Sequence, residues 1–242
     1  TGTGPDAPIW VYRLPSLLAA IGASLLTWWL AMAFGRPRLA LLAGAMLATT
    51  VLMGVEARLA KTDMTLLALV TATHGALVRA WLADSRRRQF GLAAIFWTAL
   101  SLSVLVKGPI GPAAMLCPIV LLSLVRGSAG WLRALMPLAG LAWMALIVLP
   151  WFIAIGISSH GAFFAEAVGR DLVQKVVSAQ ETHGAPPGAY VVAFLFNVWP
   201  VAAFLAMGFS SVLDRLKQPV VLYAAAAVVP YWLAIEAVPT KL

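Results

Sequence analysis

Cysteine and charged residues are scarce in this chain of 242 residues. Its one cysteine, Cys117, can build neither a disulfide framework nor a cysteine-based metal cluster. Charged residues make up 11% of the chain, against about 25% in a typical soluble domain. The sequence also lacks a P-loop, a Gly-x-Ser-x-Gly elbow, a Cys/His zinc pattern and a dinucleotide fingerprint. These absences argue against soluble nucleotide chemistry.

Long apolar runs fill most of the sequence instead. Hydrophobic residues account for 62% of the chain, which is more than a soluble domain could bury. A membrane-spanning helix needs roughly 20 apolar residues. We therefore predict one all-α transmembrane domain over 1–242, a polytopic bundle of about eight spans. The predicted spans are 14–34, 39–59, 64–83, 90–106, 109–125, 134–157, 189–209 and 219–237. Prolines in or near them predict kinks, at Pro118, Pro137, Pro150, Pro200 and Pro230.

Basic residues are distributed unevenly between the two sides of this predicted bundle. Ten of the seventeen fall in or beside alternate loops, at Arg36, Arg38, Arg79, Arg86, Arg87, Arg88, Arg126, Arg133, Arg215 and Lys217. The positive-inside rule makes that side cytoplasmic. With an even number of spans, both chain ends and a loop over 158–188 then lie on the outer side of the membrane. The net charge of +8 is assigned to membrane lipid head groups, not to nucleic acid.

The 158–188 loop contains the one long polar stretch, from Gly169 to Tyr190. Apolar residues between Phe163 and Val176 recur every three to four positions, which predicts an amphipathic helix at the membrane interface. Glu181 and His183 follow and could bind a divalent metal or transfer protons. Two candidate ligands do not complete a metal site. A divalent metal is the one cofactor that the sequence suggests, and its binding stays open.

Two further groups of charged residues lie at predicted outer span ends. Glu56 and Asp63 are seven positions apart, which would place them on one helix face and make them carboxylates lining an outer cavity. Alternatively, Asp63 is the N-cap of the next helix and its basic neighbours are interfacial. Lys107 precedes a Gly-Pro turn, where its ammonium could bind phosphate or contact a lipid head group.

His74, within a span, is predicted to be a hydrogen-bonded packing residue.

The order of several short motifs resembles a known enzyme class. The motifs are Arg13-Leu14-Pro15-Ser16, Ala57-Arg58, Lys61-Thr62-Asp63, Lys107-Gly108-Pro109, Phe163-Phe164, Lys175, Glu181-Thr182-His183-Gly184, Pro187-Gly188-Ala189-Tyr190 and Pro239-Thr240-Lys241-Leu242. Together they resemble the bacterial polytopic glycosyltransferases of the GT-C class. The branch is that of the protein O-mannosyltransferase relatives and the lipid A aminoarabinose transferase. Such enzymes move a sugar from a polyprenyl-phosphate carrier to a glycolipid, glycan or protein outside the inner membrane.

The resemblance implies roles for particular residues. Asp63 matches an acidic position at the cavity mouth and is the catalytic candidate. Cations suited to the donor phosphate are Lys107, Arg170, Lys175 and Lys241. Cavity or metal candidates are Glu166, Asp171, Glu181 and His183. Glu166 falls near a metal-binding histidine of the aminoarabinose transferase, so this departure leaves metal use open.

In that family the catalytic base lies in a first periplasmic loop, before the span that begins Arg-Leu-Pro-Ser. We therefore expect this chain to be an internal fragment, inactive alone. The alternative function is a membrane transporter or lipid flippase, which would favour charges near the bilayer midplane and broken helices in repeated halves. No such charge pair or repeat is evident in the sequence.

Overall fold

A computed structural model describes residues 8–83, 89–164 and 188–237, and within these ranges every regular element is helical. The α-helices are α1 (Ile9–Met32), α2 (Pro37–Ala48), α3 (Val51–Glu56), α4 (Asp63–Leu82), α5 (Phe90–Lys107), α6 (Ile110–Arg126), α7 (Pro137–Ser158), α8 (Ala162–Phe164), α9 (Ala189–Asn197), α10 (Val201–Leu213) and α11 (Pro219–Ala237). A short 3-10 helix, Gly130–Leu135, precedes α7. The predicted all-α polytopic fold is confirmed.

Four of these helices, α1, α4, α5 and α7, are long and apolar enough to cross a membrane. They correspond to four of the eight predicted spans. The pair α9 and α10 could together form a fifth, although it is bent by 115°. α2, α6 and α11 are shorter apolar helices. Half of the apolar window of α4 is buried, against 11% of that of α7, so α4 lies at the centre of the bundle.

Two predicted spans are not continuous helices. The one predicted over 39–59 is divided into α2 and α3 at Thr49 and Thr50. Both threonine hydroxyls donate to carbonyls of the preceding turn, 2.9 Å away, and the Thr50 hydroxyl also accepts from the amide of Met53. Threonine favours such local bonds over continued helix. The span predicted over 189–209 breaks next to Pro200, where a kink was predicted.

Contacts between helices define two ends of the bundle. Ser16 of α1 contacts Lys61, just before α4, and Trp29 of α1 packs on Gly75 of α4, so these two helices run parallel. α5 runs antiparallel to α4, because its last residue pairs with Asp63. We call the two ends the Asp63 end and the Arg36 end. α11 starts at the Arg36 end, where Gln218 and Arg36 line one cavity, and so finishes at the Asp63 end.

Glycines allow close helix contacts within the bundle. A Cβ on Gly75 would lie 2.1 Å from the indole ring of Trp29, and a Cβ on Gly140 would lie 1.8 Å from that of Trp97. The Trp97 indole N–H donates to the carbonyl of Leu135 at 2.8 Å. Small residues at helix interfaces are typical of membrane bundles, where close packing replaces the hydrophobic effect. These glycines therefore allow the close approach of α1 to α4 and of α5 to α7.

His74 joins α4 to α11. Its Nδ1 is 2.9 Å from the hydroxyl oxygen of Tyr223, and that hydroxyl donates to the carbonyl of His74 at 3.1 Å. The hydroxyl has one proton, so Nδ1–H is the donor in the first bond. The ring of Tyr223 packs edge-on against the imidazole. His74 is thus a hydrogen-bonded packing residue, as the sequence predicted.

Replacing Tyr223 by phenylalanine is expected to lower the free energy of unfolding by about 1 kcal/mol, because both hydrogen bonds are lost. Thermal unfolding in detergent would show a lower midpoint. Tyr231→Phe is the matched control on the same helix. Within the described residues Tyr231 has no hydrogen bond, so its midpoint should stay near that of the unmodified protein. Equal shifts in both variants would contradict the structural role of the His74–Tyr223 contact.

Candidate functional site

Asp63 and Lys107 form an ion pair at the Asp63 end. One carboxylate oxygen of Asp63 accepts a hydrogen bond from the ammonium of Lys107. Asp63 is the first residue of α4, and Lys107 is the last residue of α5. Each charge therefore complements the dipole of its own helix. The side chains are 36% and 43% exposed, so the pair lies at a boundary that polar molecules can reach.

The helix boundaries correct two interpretations of Asp63. The N-cap of α4 is Thr62, so Asp63 lies one position inside the helix and the N-cap interpretation is wrong. Glu56 is the last residue of α3, and the non-helical residues 57–62 separate it from α4. The two carboxylates therefore do not share one helix face.

The turn between α3 and α4 has its own contacts. The ammonium of Lys61 lies 3.6 Å from the carboxylate of Glu56. The hydroxyl of Ser16 donates to the carbonyl of Lys61 at 2.8 Å, and Ser16 is only 1% exposed. Ser16 ends the Arg-Leu-Pro-Ser motif, and Lys61 begins the Lys-Thr-Asp motif. This bond brings together two motifs 45 positions apart in sequence and fixes the turn that precedes Asp63.

A glycine turn positions Lys107. Gly108 has a φ of +64°, a conformation that side chains with a Cβ rarely adopt. α6 begins two residues later and packs against α5 so closely that a Cβ on Gly111 would lie 2.0 Å from the hydroxyl of Ser103. The tight turn and this contact keep the end of α5 beside α4, and therefore Lys107 beside Asp63.

Both described flanks of the 158–188 loop lie at the same end. α7 runs parallel to α5, as the contacts of Trp97 with Gly140 and of Thr98 with Trp143 show, and so finishes at the Asp63 end. On the far side of the loop, the amide of Gly188 donates to the carboxylate of Glu236, near the end of α11. The chain thus leaves and re-enters the described structure at the Asp63 end.

Seven predicted site residues lie outside the described residues. They are Glu166, Arg170, Asp171, Lys175, Glu181, His183 and Lys241. The predicted amphipathic helix also falls there, apart from its first residues in α8. Within the described part of the chain, no group of three or more His, Cys, Asp or Glu side chains could hold a metal. The roles of these seven residues therefore stay predictions.

The structure adds contacts around the site that were not predicted. The Glu56–Lys61 pair and the Ser16–Lys61 hydrogen bond both stabilise the turn next to Asp63. Ser16 was singled out as part of the Arg-Leu-Pro-Ser motif, and that motif did not indicate its hydrogen-bond partner. The signal for Glu56 was its spacing from Asp63, which presumed a continuous helix. Only the break between α3 and α4 shows that Lys61 is its partner.

The arrangement suits a reaction that separates charge at a membrane boundary. An ammonium at the end of α5 can stabilise negative charge on a phosphate oxygen. A carboxylate beside it can orient that ammonium and keep the pair neutral when no phosphate is bound. Apolar helices beneath the pair can hold the hydrocarbon part of an amphiphilic substrate in the bilayer.

The fold and the site define a multi-pass membrane protein with a charged, solvent-accessible site at one end of its bundle. Residues 2–162 match the family described as dolichyl-phosphate-mannose-protein mannosyltransferase. That range is more than half of the 242 residues and includes both Asp63 and Lys107, so the chain belongs to this family. Comparisons with curated proteins and with solved structures gave no significant match.

Family membership confirms the resemblance to GT-C glycosyltransferases. The family consists of membrane glycosyltransferases that use a lipid-phosphate sugar donor. The match ends at residue 162, before most of the 158–188 loop. The family match therefore covers the part of the bundle that contains the Asp63–Lys107 pair.

Proposed function

We propose that this protein transfers a sugar from a polyprenyl-phosphate carrier to an acceptor at the Asp63 end of the bundle. The observation that carries the proposal is the Asp63–Lys107 pair, which joins two spans at the membrane boundary inside the family-matched range. A lipid-phosphate sugar has its polar head at that depth and its hydrocarbon tail in the bilayer. The acceptor is a glycolipid such as lipid A, a glycan or a protein.

The transfer breaks the bond between the sugar C1 and the donor phosphate oxygen. The phosphate leaves with the electron pair, while an acceptor hydroxyl or amine forms the new bond to C1 and gives its proton to a carboxylate. Lys107 stabilises the charge that develops on the phosphate. By resemblance, the proton acceptor lies in a loop preceding Arg13. Asp63 is then a second carboxylate, which holds Lys107 in place and lines the cavity.

The distribution of charge supports a periplasmic active face. Arg36, Arg38, Arg79, Arg126, Arg133, Arg215 and Lys217 lie at or near the Arg36 end. Among the described residues, the Asp63 end carries fewer cations, and two of them, Lys61 and Lys107, pair with acids. By the positive-inside rule, this asymmetry supports a cytoplasmic Arg36 end and an Asp63 end outside the inner membrane of a bacterial cell.

Transfer in proteoliposomes tests this function. The full-length gene product would be reconstituted with undecaprenyl-phosphate mannose and with candidate acceptors, and mannosylated products would be detected by mass spectrometry. We expect covalent transfer. If the labelled carrier instead crosses the bilayer with its mannose intact and no acceptor is modified, the protein is a transporter or flippase and the proposal is wrong.

The loop cation Lys175 gives a second test. Lys175→Ala is expected to reduce transfer by at least tenfold, because the donor phosphate loses a cation. Lys217→Ala, at the Arg36 end, is the control and should transfer at the unmodified rate. The measurement is initial rate at fixed donor concentration, with protein amount checked by immunoblot. A near-normal rate for Lys175→Ala would remove Lys175 from the donor site.

A further inference from the structure

An apolar groove lies on the membrane-facing side of the bundle, near the Asp63 end. It has a volume of about 410 Å³ and runs along α1 from Leu17 to Leu25, facing Ala48, Met53 and Gly54. It begins one residue beyond Ser16, whose bond to Lys61 marks the turn next to Asp63. Leu17 and Leu25 are eight helical positions apart, which gives the groove a length of roughly 12 Å. The groove thus leads from the candidate site towards the interior of the bilayer.

The break between α2 and α3 produces this groove. α2 stops at Ala48, and α3 starts at Val51, so no continuous helix covers this side of α1. Gly54 leaves further room, because a Cβ built on it would meet no atom within 4 Å. A continuous span with larger side chains would have covered α1 here. The irregularity that the sequence did not predict is therefore also what creates the groove.

Arg58 lies at the polar end of the groove. It is exposed and makes no ion pair with any described residue. Its neighbours differ, since Lys61 pairs with Glu56 and Lys107 pairs with Asp63. The guanidinium of Arg58 is thus available for an external anion, and its planar donors suit a phosphate.

The lining favours a hydrocarbon chain over a peptide. Besides Arg58, the polar side chain in the groove is Ser24, and its hydroxyl already donates to the carbonyl of Ala20 at 3.1 Å. A peptide in the groove would leave its amides and carbonyls without partners, at a cost of several kcal/mol each in an apolar setting. A chain of methyl and methylene groups has no such groups to satisfy.

We propose that this groove binds the isoprene units of the sugar donor nearest the phosphate, and that Arg58 contacts the phosphate itself. The proposal rests on the proposed function and assigns it a lipid subsite between α1 and α3. An apolar channel headed by a cation that pairs with no described residue matches an amphiphile with one anionic group on a hydrocarbon chain. The length of the groove admits the first few isoprene units and leaves the rest of the carrier in the bilayer.

Filling the groove tests its role. Gly54→Phe in the full-length protein would place a ring where the isoprene units bind. We expect the KM for undecaprenyl-phosphate mannose to rise about tenfold with kcat unchanged. The KM for citronellyl-phosphate mannose should rise as well, because its two isoprene units are the ones nearest the phosphate. Gly22→Phe, on α1 outside the groove with open space around it, is the matched control and should leave both KM values unchanged.

Several results would overturn the groove assignment. They are an unchanged KM for either donor in Gly54→Phe, or the same rise of KM in Gly22→Phe. For Arg58, we expect Arg58→Gln to raise KM for both donors and Arg58→Lys to restore most of the loss. Equal effects of the two substitutions would remove the phosphate contact from the proposal.

Photolabelling separates this proposal from the proposed function. A diazirine-bearing undecaprenyl phosphate would be irradiated with the protein in nanodiscs, and labelled peptides would be mapped by mass spectrometry. Labelling of the Ala48–Arg58 segment that Gly54→Phe abolishes supports the groove even if no transfer activity is found. Active protein labelled elsewhere, or a groove labelled only by a diazirine phospholipid, overturns the groove and leaves the function standing.

Discussion

Asp63→Asn in the full-length protein is expected to reduce sugar transfer by at least tenfold while leaving the fold intact. The substitution keeps the shape of the side chain and a carbonyl oxygen that can still accept from Lys107, but it removes the negative charge. Lys107 then loses the partner that neutralises and orients it. A partly exposed ion pair contributes little to stability, so the loss should appear in kcat/KM rather than in the unfolding midpoint.

A double-mutant cycle with Lys107 determines how Asp63 acts. If Asp63 works through Lys107, then Asp63→Asn combined with Lys107→Met should be no less active than Lys107→Met alone. If the losses multiply instead, Asp63 contacts the substrates independently. Near-normal turnover of the single Asp63→Asn variant would contradict any part for Asp63 in transfer. The pair would then be a structural contact between two helix ends.

Gly75→Leu is expected to prevent correct assembly of the bundle. The Cβ alone would lie 2.1 Å from the ring of Trp29, and that ring cannot easily move. The guanidinium of Arg79 is stacked 3.8 Å from the ring centre and also donates to the carbonyls of Gly75 and Trp29. Overpacking typically costs about 1–3 kcal/mol. Here α1 and α4 would have to separate, so we expect about 3 kcal/mol or more.

Fluorescence-detected size-exclusion chromatography checks this expectation. The Gly75→Leu protein should elute mainly as aggregate, or yield far less folded protein than the unmodified chain. Gly208→Leu on α10 is the control, because a Cβ there meets no atom within 4 Å. A monodisperse Gly75→Leu protein with a normal unfolding midpoint would show that the α1–α4 contact is looser than the structure has it.

Much of the fold could be predicted from hydrophobicity and chain punctuation. The spans now seen as α1, α4, α5 and α7 were predicted within about five residues, because long apolar runs bounded by charged or Gly/Pro turns have few other solutions in a membrane. The break within 39–59 was not predicted, whereas the break within 189–209 falls at Pro200, where a kink was predicted. The hydropathy of the sequence shows one continuous apolar run, even where the hydroxyls of Thr49 and Thr50 donate to carbonyls of the preceding turn.

The candidate site was predictable by residue type but not by pairing. Asp63 and Lys107 were singled out separately, each from its position at a span end, and neither spacing nor composition indicated that they touch. Their contact depends on α4 and α5 being antiparallel neighbours, which is a tertiary property. For Glu56 the prediction itself was wrong. Its seven-residue spacing from Asp63 indicated a shared helix face, but a non-helical turn separates the two residues.

The parallel contact of α1 and α4 also has a mechanical consequence. The two helices are pinned at one end by Ser16 and Lys61 and at the other by Trp29 and Arg79. The pins are about 20 Å apart along α1, so neither helix can slide along the other without breaking one of them. Asp63 is thereby held at a constant height along α1. Any displacement that separates the two charges must then move α5, which carries the lysine, relative to the joined pair of α1 and α4, which carries the carboxylate.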